Sequence, residues 1–481
     1  MTKRARTTLL ALSLSLLSAC NEPERSTPAP ASKGLQSIAA LEAQAPARRR
    51  LDIQAWQTEQ GARVLFVAAP ELAMFDLRLT FAAGSSQDGD KPGVALLTNA
   101  MLNEGIPGKD ATAIAASFED LGAEFSNGAY RDMAVVGLRA LSAEPIRNSA
   151  LQAFLPLLQS PTFEPTALAR VQNQLLTGFE FDKQNPAKLA QLALFEALYG
   201  EHPYAHPSEG THASVSALTP HDLKAFYQKA YSAPNAVIAL VGDLTLEQAQ
   251  AIAADVSKAL PQGERLAKMP TPATPKPMRK HIEFASKQTH LQLATLGIER
   301  GHADYAALYL GNQILGGGGF GSRLMEEVRE KRGLTYGIYS GFSPMQARGP
   351  FTISLQTRAE QSEGTLNLVK SVLNDFLEKG PSQTELNNAK RELAGSFPLS
   401  TASNESIVGQ LGSMGFYDLP LTWLEDFLLQ VQNLTTEQVQ QAMQRHLDPE
   451  QLIIVSVGPT VEQAPLPEPT PSAPVAAMPE H

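Results

Sequence analysis

Apolar positions along this chain alternate between two rhythms, and the changes of rhythm mark the elements. Arg63 to Ala69 and Leu77 to Phe81 alternate well enough to be strands. Gly93 to Asn103, bounded by Pro92 and Gly105, takes up a helical period, and Ala111 to Leu121 repeats it. Phe125 and Arg131 to Leu141 return to strand spacing. Long helical patterns follow at Pro145 to Leu158, Glu164 to Lys183 and Ala187 to Tyr199. A helix over Leu218 to Tyr231, a buried strand over Ala236 to Val241 ending at Gly242, and a helix over Leu244 to Leu260 complete a first unit. Pro270, Pro272, Pro275 and Pro277 then stiffen a connecting stretch.

The pattern starts again near His281. LTPHDLKAFYQKAYSAPNAVIALVG, from Leu218 to Gly242, aligns without a gap on LTTEQVQQAMQRHLDPEQLIIVSVG, from Leu434 to Gly458. LTNAML from Leu97 aligns on LGNQIL from Leu310. A duplicated helix-and-sheet unit is therefore predicted, an α+β fold of two homologous α/β half-domains, each a mainly antiparallel sheet packed with helices. The boundaries read as residues 51–265, a Pro-rich linker at 266–280, and residues 281–460. Residues 461–481 form a Pro-rich tail with disordered composition.

Gly311 to Phe342 is the most informative stretch: GNQILGGGGFGSRLMEEVREKRGLTYGIYSGF. Its four consecutive glycines suit close backbone approach. Ser322 can cap a short helix whose apolar face is Leu324, Met325 and Val328, and Gly333 can end it. Leu334 to Tyr339 reads as a strand. Such a helix, reversal and strand could aim Arg329 and Tyr336 into one groove.

The segment closely resembles the C-terminal half of the pitrilysin (insulinase-like) zinc peptidases, including the mitochondrial processing peptidase subunits. SRLxxEVREKRGLxYxxYS carries that family's paired Arg and Tyr, which fall here on Arg329 and Tyr336. The glycine run resembles the family's substrate-contacting loop, implying substrate contacts at Gly316, Gly317, Gly318, Gly319 and Phe320. The resemblance also implies a clamshell of two related half-domains around a chamber.

The catalytic half of an active member carries H-x-x-E-H on one helix, where two His bind zinc and the Glu serves as base. Here the frame survives as Gly84-Ser85-Ser86, Pro92-Gly93, Met101-Leu102 and Gly105. The zinc positions fall on Leu96, Asn99 and Ala100, and the family's downstream Glu falls near Thr177. No histidine precedes His202, so no shifted copy of the motif is hidden in the first half. His202, His206 and His212, in HPYAHPSEGTH, are expected in a hydrogen-bonded surface loop, because the prolines forbid a helix that would align them. His221 and His446 are expected as solvated or capping residues, and Glu326, Glu327 and Glu330 as a solvated helix face. No G-x-S-x-G string is present.

The resemblance therefore implies a non-catalytic subunit with no metal or cofactor of its own. Zinc would sit in a homologous partner bearing H-x-x-E-H, and this chain would supply Arg329 and Tyr336 for peptide hydrolysis. An enzyme active alone is disfavoured; the alternative is a peptide-binding or scaffold protein with no proteolytic role.

At 481 residues, 43% hydrophobic and 18% charged, the composition is that of a large globular protein. A formal charge of −10 without a basic run excludes nucleic acid as the expected partner. Lys3, Arg4 and Arg6 precede a short apolar stretch, Leu9 to Leu17, and Leu17-Ser18-Ala19-Cys20 resembles a bacterial lipobox. The expectation is a signal peptide at 1–19, lipidation of the lone cysteine, Cys20, and a flexible tether over 20–50. Asn21 implies sorting to the outer membrane, which puts the protein in the periplasm on a lipid anchor.

Overall fold

The computed structural model describes residues 51–470. The expected signal peptide, Cys20, the tether and residues 471–481 lie outside the described residues. Strands in chain order are β1 (Gln54–Gln57), β2 (Arg63–Ala68), β3 (Met74–Phe81), β4 (Gly105–Ile106), β5 (Lys109–Asp110), β6 (Glu124–Ala129), β7 (Ala134–Leu141), β8 (Ala236–Gly242), β9 (Met278–Glu283), β10 (Gln288–Leu296), β11 (Ile338–Phe342), β12 (Pro350–Arg358) and β13 (Ile453–Gly458).

The first sheet has the order β1-β2-β8-β3-β7-β6 and the second β11-β12-β10-β13-β9. Five strands of the first match the second one for one: β2-β8-β3-β7-β6 against β9-β13-β10-β12-β11. Each sheet has a single parallel pair, β2 with β8 and β13 with β9. The repeat extends to helix starts. Thr219 and Thr435 both close capping boxes, with Asp222 and Gln438, on helices Pro220–Ala230 and Thr436–His446.

Strand alternation decides what each face packs against. Val64, Phe66, Leu77 and Leu79 face the first half's own helices, while Leu65, Val67, Ala239 and Val241 face the other way. Those outward residues are covered by helix Asn404–Phe416 of the second half, through Ile407, Val408, Leu411 and Met414. The exchange is reciprocal. Helix Pro186–Tyr199 of the first half lays Ala190, Ala193, Leu194 and Leu198 against Ala294, Leu296, Val455 and Val457 of the second sheet. A glycine permits the first of these contacts: a Cβ on Gly415 would lie 2.3 Å from Val237 Cγ1.

A polar seam joins the halves beside these helices. The buried Asp132 carboxylate accepts hydrogen bonds from the Tyr204 hydroxyl at 2.5 Å, the Gln346 amide at 2.6 Å and the Tyr417 hydroxyl at 3.3 Å. Burial raises its pKa, and those donors, with the neighbouring Arg131, pull it back.

Residues 461–470, expected as disordered tail, follow the second half without regular structure. The Ala464 amide donates to Glu360 O at 2.7 Å and the Thr470 amide to Lys331 O at 2.8 Å.

Two predictions follow from this packing. Gly415→Leu should overpack the helix-on-sheet contact and cost about 1–3 kcal/mol. Gly409→Ala on the same helix, where a Cβ would meet nothing within 4 Å, should be neutral or stabilise by about 0.5–1 kcal/mol; urea unfolding of both variants checks this. The second concerns Asp88, whose carboxylate caps helix Val94–Ala100 by accepting the Gly93 amide at 2.8 Å and the Ala95 amide at 2.9 Å. Burial nonetheless pushes its pKa up to about 7. The folded chain then holds a proton that the unfolded chain, with a carboxyl pKa of about 3.9, releases. This group's contribution to stability therefore rises as pH falls from 8 toward 5. Asp88→Asn should flatten that part of the profile, measured by urea unfolding at pH 8 and pH 5.5.

Candidate functional site

Helix Val94–Ala100 is the position at which the family motif would hold zinc. Gly93, in the left-handed region at φ 95°, turns the chain into it. Asn99 is buried and points inward, where its amide donates to Val135 O at 3.2 Å and to the Tyr231 hydroxyl at 3.1 Å. The Asn127 amide in turn donates to Asn99 O at 2.7 Å. Leu96 and Ala100 offer no lone pair, and the hydroxyl of exposed Thr177 is spent on Asn173 O at 2.8 Å. Catalytic zinc needs nitrogen or oxygen ligands and a base on bound water. These residues supply no imidazole and no carboxylate, only an amide hydrogen-bonded inward and a hydroxyl bonded to Asn173 O, so they do not fit the ion.

Two of the three loop histidines are less exposed than the sequence suggests, while His212 is exposed. His202 is buried, not on the surface: its Nε2 lies 2.9 Å from Pro270 O, and its Nδ1 accepts the Tyr204 amide at 3.1 Å. His206 is half-buried, and its carbonyl, like that of Tyr204, accepts from the Arg131 guanidinium. The linker folds back over this loop, which a reading of local composition does not reveal.

In the second half, helix Tyr305–Asn312 runs into a wider turn over Gln313–Gly317 and a tight turn over Gly319–Gly321. The glycine run has a packing reason. A Cβ on Gly316 would lie 2.5 Å from Ser340 Oγ, and one on Gly317 2.5 Å from Asn312 Nδ2. Asn312 and Ser340 lock that approach, with Ser340 Oγ donating to Asn312 Oδ1 at 2.7 Å and Asn312 Nδ2 to Ser340 O at 3.1 Å. Gly316 is thus buried against β11, while Phe320 is 67% exposed.

Ser322 starts the next helix with its carbonyl accepting the Glu326 amide. Its hydroxyl turns back to Gly319 O at 2.7 Å and makes no side-chain cap. Leu324, Met325 and Val328 form the buried face, and Gly333 (φ 60°) ends the helix. The strand expected from Leu334 begins only at Ile338. Before it, the Thr335 hydroxyl donates to Gly337 O at 2.8 Å and accepts the Gly337 amide at 3.1 Å, closing a turn that replaces ladder pairing.

This turn carries Tyr336, which is 81% exposed and makes no hydrogen bond among the described residues. Arg329 lies with its guanidinium 4.5 Å from the centroid of the Phe320 ring and its Nε 3.4 Å from Glu330. The structure therefore brings Arg329 to the glycine loop's aromatic residue; no hydrogen bond or ring contact joins Arg329 to Tyr336. Nothing in the sequence marked the Arg329–Phe320 pair, because its members sit on separate turns. The helix's acidic residues are not a purely solvated face: Glu327 pairs with Lys331 at 2.6 Å and Arg332 at 2.8 Å. His446 also departs from expectation, being half-buried and 2.8 Å from Asp304.

Among the described residues, no helix is long and apolar enough to cross a membrane. Residues 63–212 match the family model for insulinase (peptidase family M16), and residues 217–393 match that for the peptidase M16 inactive domain. A Helicobacter pylori protein described as a non-peptidase homolog, YmxG, is 30% identical over 78% of this chain and 87% of its own length. A Bacillus subtilis protein described as an uncharacterized zinc protease, also YmxG, is 25% identical over 75% of this chain and 87% of its own. The crystal structure of a peptidase M16 inactive domain from Pseudomonas fluorescens superposes with a TM-score of 0.85 at 64% identity, covering 87% of this chain and all of that one. With its duplicated half-domains and its erased zinc positions, the chain belongs to the M16 (insulinase) peptidase family as a non-catalytic homologue of its zinc enzymes.

Proposed function

We propose that this chain is the substrate-binding subunit of a two-chain zinc peptidase, presenting Arg329 and Tyr336 to a homologous partner that carries H-x-x-E-H and the ion. One observation carries the reading: a single chain combines an erased zinc helix with an exposed, hydrogen-bond-free Tyr336 beside an intact arginine segment. A phenol and a guanidinium are strong donors. In a closed chamber they would hold the substrate backbone and stabilise charge growing on the scissile carbonyl oxygen.

Peptide binding has two further supports. Phe320, stacked beneath Arg329, offers an exposed aromatic surface at the loop. Strand β11 is outermost in its sheet, so an extended peptide could pair with the part of its edge that Asn312 does not occupy at Ser340. On the expected lipobox, Cys20 would tether this assembly in the periplasm, at the outer membrane. The second reading, a peptide-binding or scaffold protein with no proteolytic role, is supported by the description of the H. pylori relative as a non-peptidase homolog.

Adding the chain to an H-x-x-E-H homologue encoded beside it should start or strongly raise peptide hydrolysis. Arg329→Ala and Tyr336→Phe should each lower the mixture's turnover by about 10²-fold or more without dissociating the pair. Turnover unaffected by both substitutions would refute the shared site, as would peptide hydrolysis by the pure chain. Failure to capture any such homologue would favour the scaffold reading.

A further inference from the structure

We propose that His302, Asp304 and His446 form a binding site for a divalent transition metal of the Zn²⁺ class, unrelated to the erased motif. His302 and Asp304 lead into helix Tyr305–Asn312, and His446 is the last residue of helix Thr436–His446. These helices pack closely: a Cβ on Gly311 would lie 2.9 Å from Met443 and 3.1 Å from Val439. The packing brings one ligand atom from each of the three side chains within 4.8 Å of the others. The imidazole rings of His302 and His446 stand edge to face with centroids 5.0 Å apart.

Two imidazoles and a carboxylate are a ligand set for zinc and its neighbours, not for calcium or magnesium. Donors about 2.0–2.2 Å from such an ion lie roughly 3–3.5 Å from one another. His446 Nε2 and Asp304 Oδ2, at 2.8 Å, are already near that spacing. All three residues are half-buried, which fixes their backbones and leaves water access for the remaining coordination positions. Asp304 also borders a cleft of about 510 Å³ lined by Ala307, Asp426, Gln430, Gln438 and Arg445.

Without an ion, the cluster is held by other contacts. Arg445 donates to both oxygens of Asp304, at 2.8 and 3.1 Å, and His302 Nδ1 accepts the Asp304 amide at 3.0 Å. A metal would take the place of the proton shared by His446 and Asp304, free His302 from the amide and displace the half-exposed Arg445 to solvent. Arg445 is thus the competitor built into the site, and this gives the proposal a signature that simple histidine affinity lacks.

Titrating the full chain with Zn²⁺ by calorimetry should show one site that is at least tenfold weaker in His302→Ala and in His446→Gln. Arg445→Gln should bind several-fold tighter, because the carboxylate loses its competing cation. His281→Ala, on an exposed strand, should leave the affinity unchanged. Zn²⁺ should also raise the melting temperature of the parent chain but not of His302→Ala, whose own melting curve reports that it is folded. Absence of Zn²⁺ uptake, or affinity unchanged in both histidine variants, or weakened by Arg445→Gln, would overturn the proposal. Zinc held here leaves peptide hydrolysis with the partner, so this site and the shared peptidase site stand or fall separately.

Discussion

Each sheet of this molecule is apolar on both faces, and a half-domain has helices enough for only one. The uncovered face is satisfied by a helix from the other half, in both directions: Asn404–Phe416 on the first sheet and Pro186–Tyr199 on the second. Burial of apolar surface is non-directional, but this exchange gives it direction, since each half supplies what the other lacks. Separation would expose Leu65, Val67, Val241, Leu296 and Val455 together. Asp132 and its three donors sit on the same seam and add specific geometry to the apolar contact.

That constraint makes the loss of zinc tolerable. Metal ligands often contribute to holding the elements that bear them. Helix Val94–Ala100 is held instead by Asp88 at its start, by the side-chain amide of Asn99, and by Leu97 and Met101 in the core. Asn99 in particular has become internal: the residue at the position of the family's base now satisfies Val135 O and the Tyr231 hydroxyl. The helix retains its place in the fold while its chemistry has gone.

In the second half, the unusual backbone lies where side chains are presented. Glycines at 316 and 317 allow a turn to settle onto Ser340 and Asn312, and the following loop lifts Phe320 outward under Arg329. The Thr335 side chain holds the chain out of the sheet for one more turn, and Tyr336 therefore projects from a bend, not from a strand. A residue in a ladder would have been fixed by its cross-strand neighbours; on the bend it is open to a partner or a peptide.

Much of this was legible in residue order because it is local. Periodicity located most strands and helices of the first half, and an ungapped self-alignment revealed the duplication before any contact was known. The missing zinc ligands were equally plain, since a lone pair is a property of a side chain and Leu96 and Ala100 have none. The rest arises between residues far apart in the chain. The helix exchange, the Asp132 seam, the burial of His202 under Pro270, the Arg329–Phe320 stack and the meeting of His302, Asp304 and His446 all depend on how finished elements dock. Sequence alone determined which elements form and which chemistry is absent; only tertiary structure decided which side chains meet, because docking is fixed by the sum of many weak contacts across the chain and no single motif encodes it.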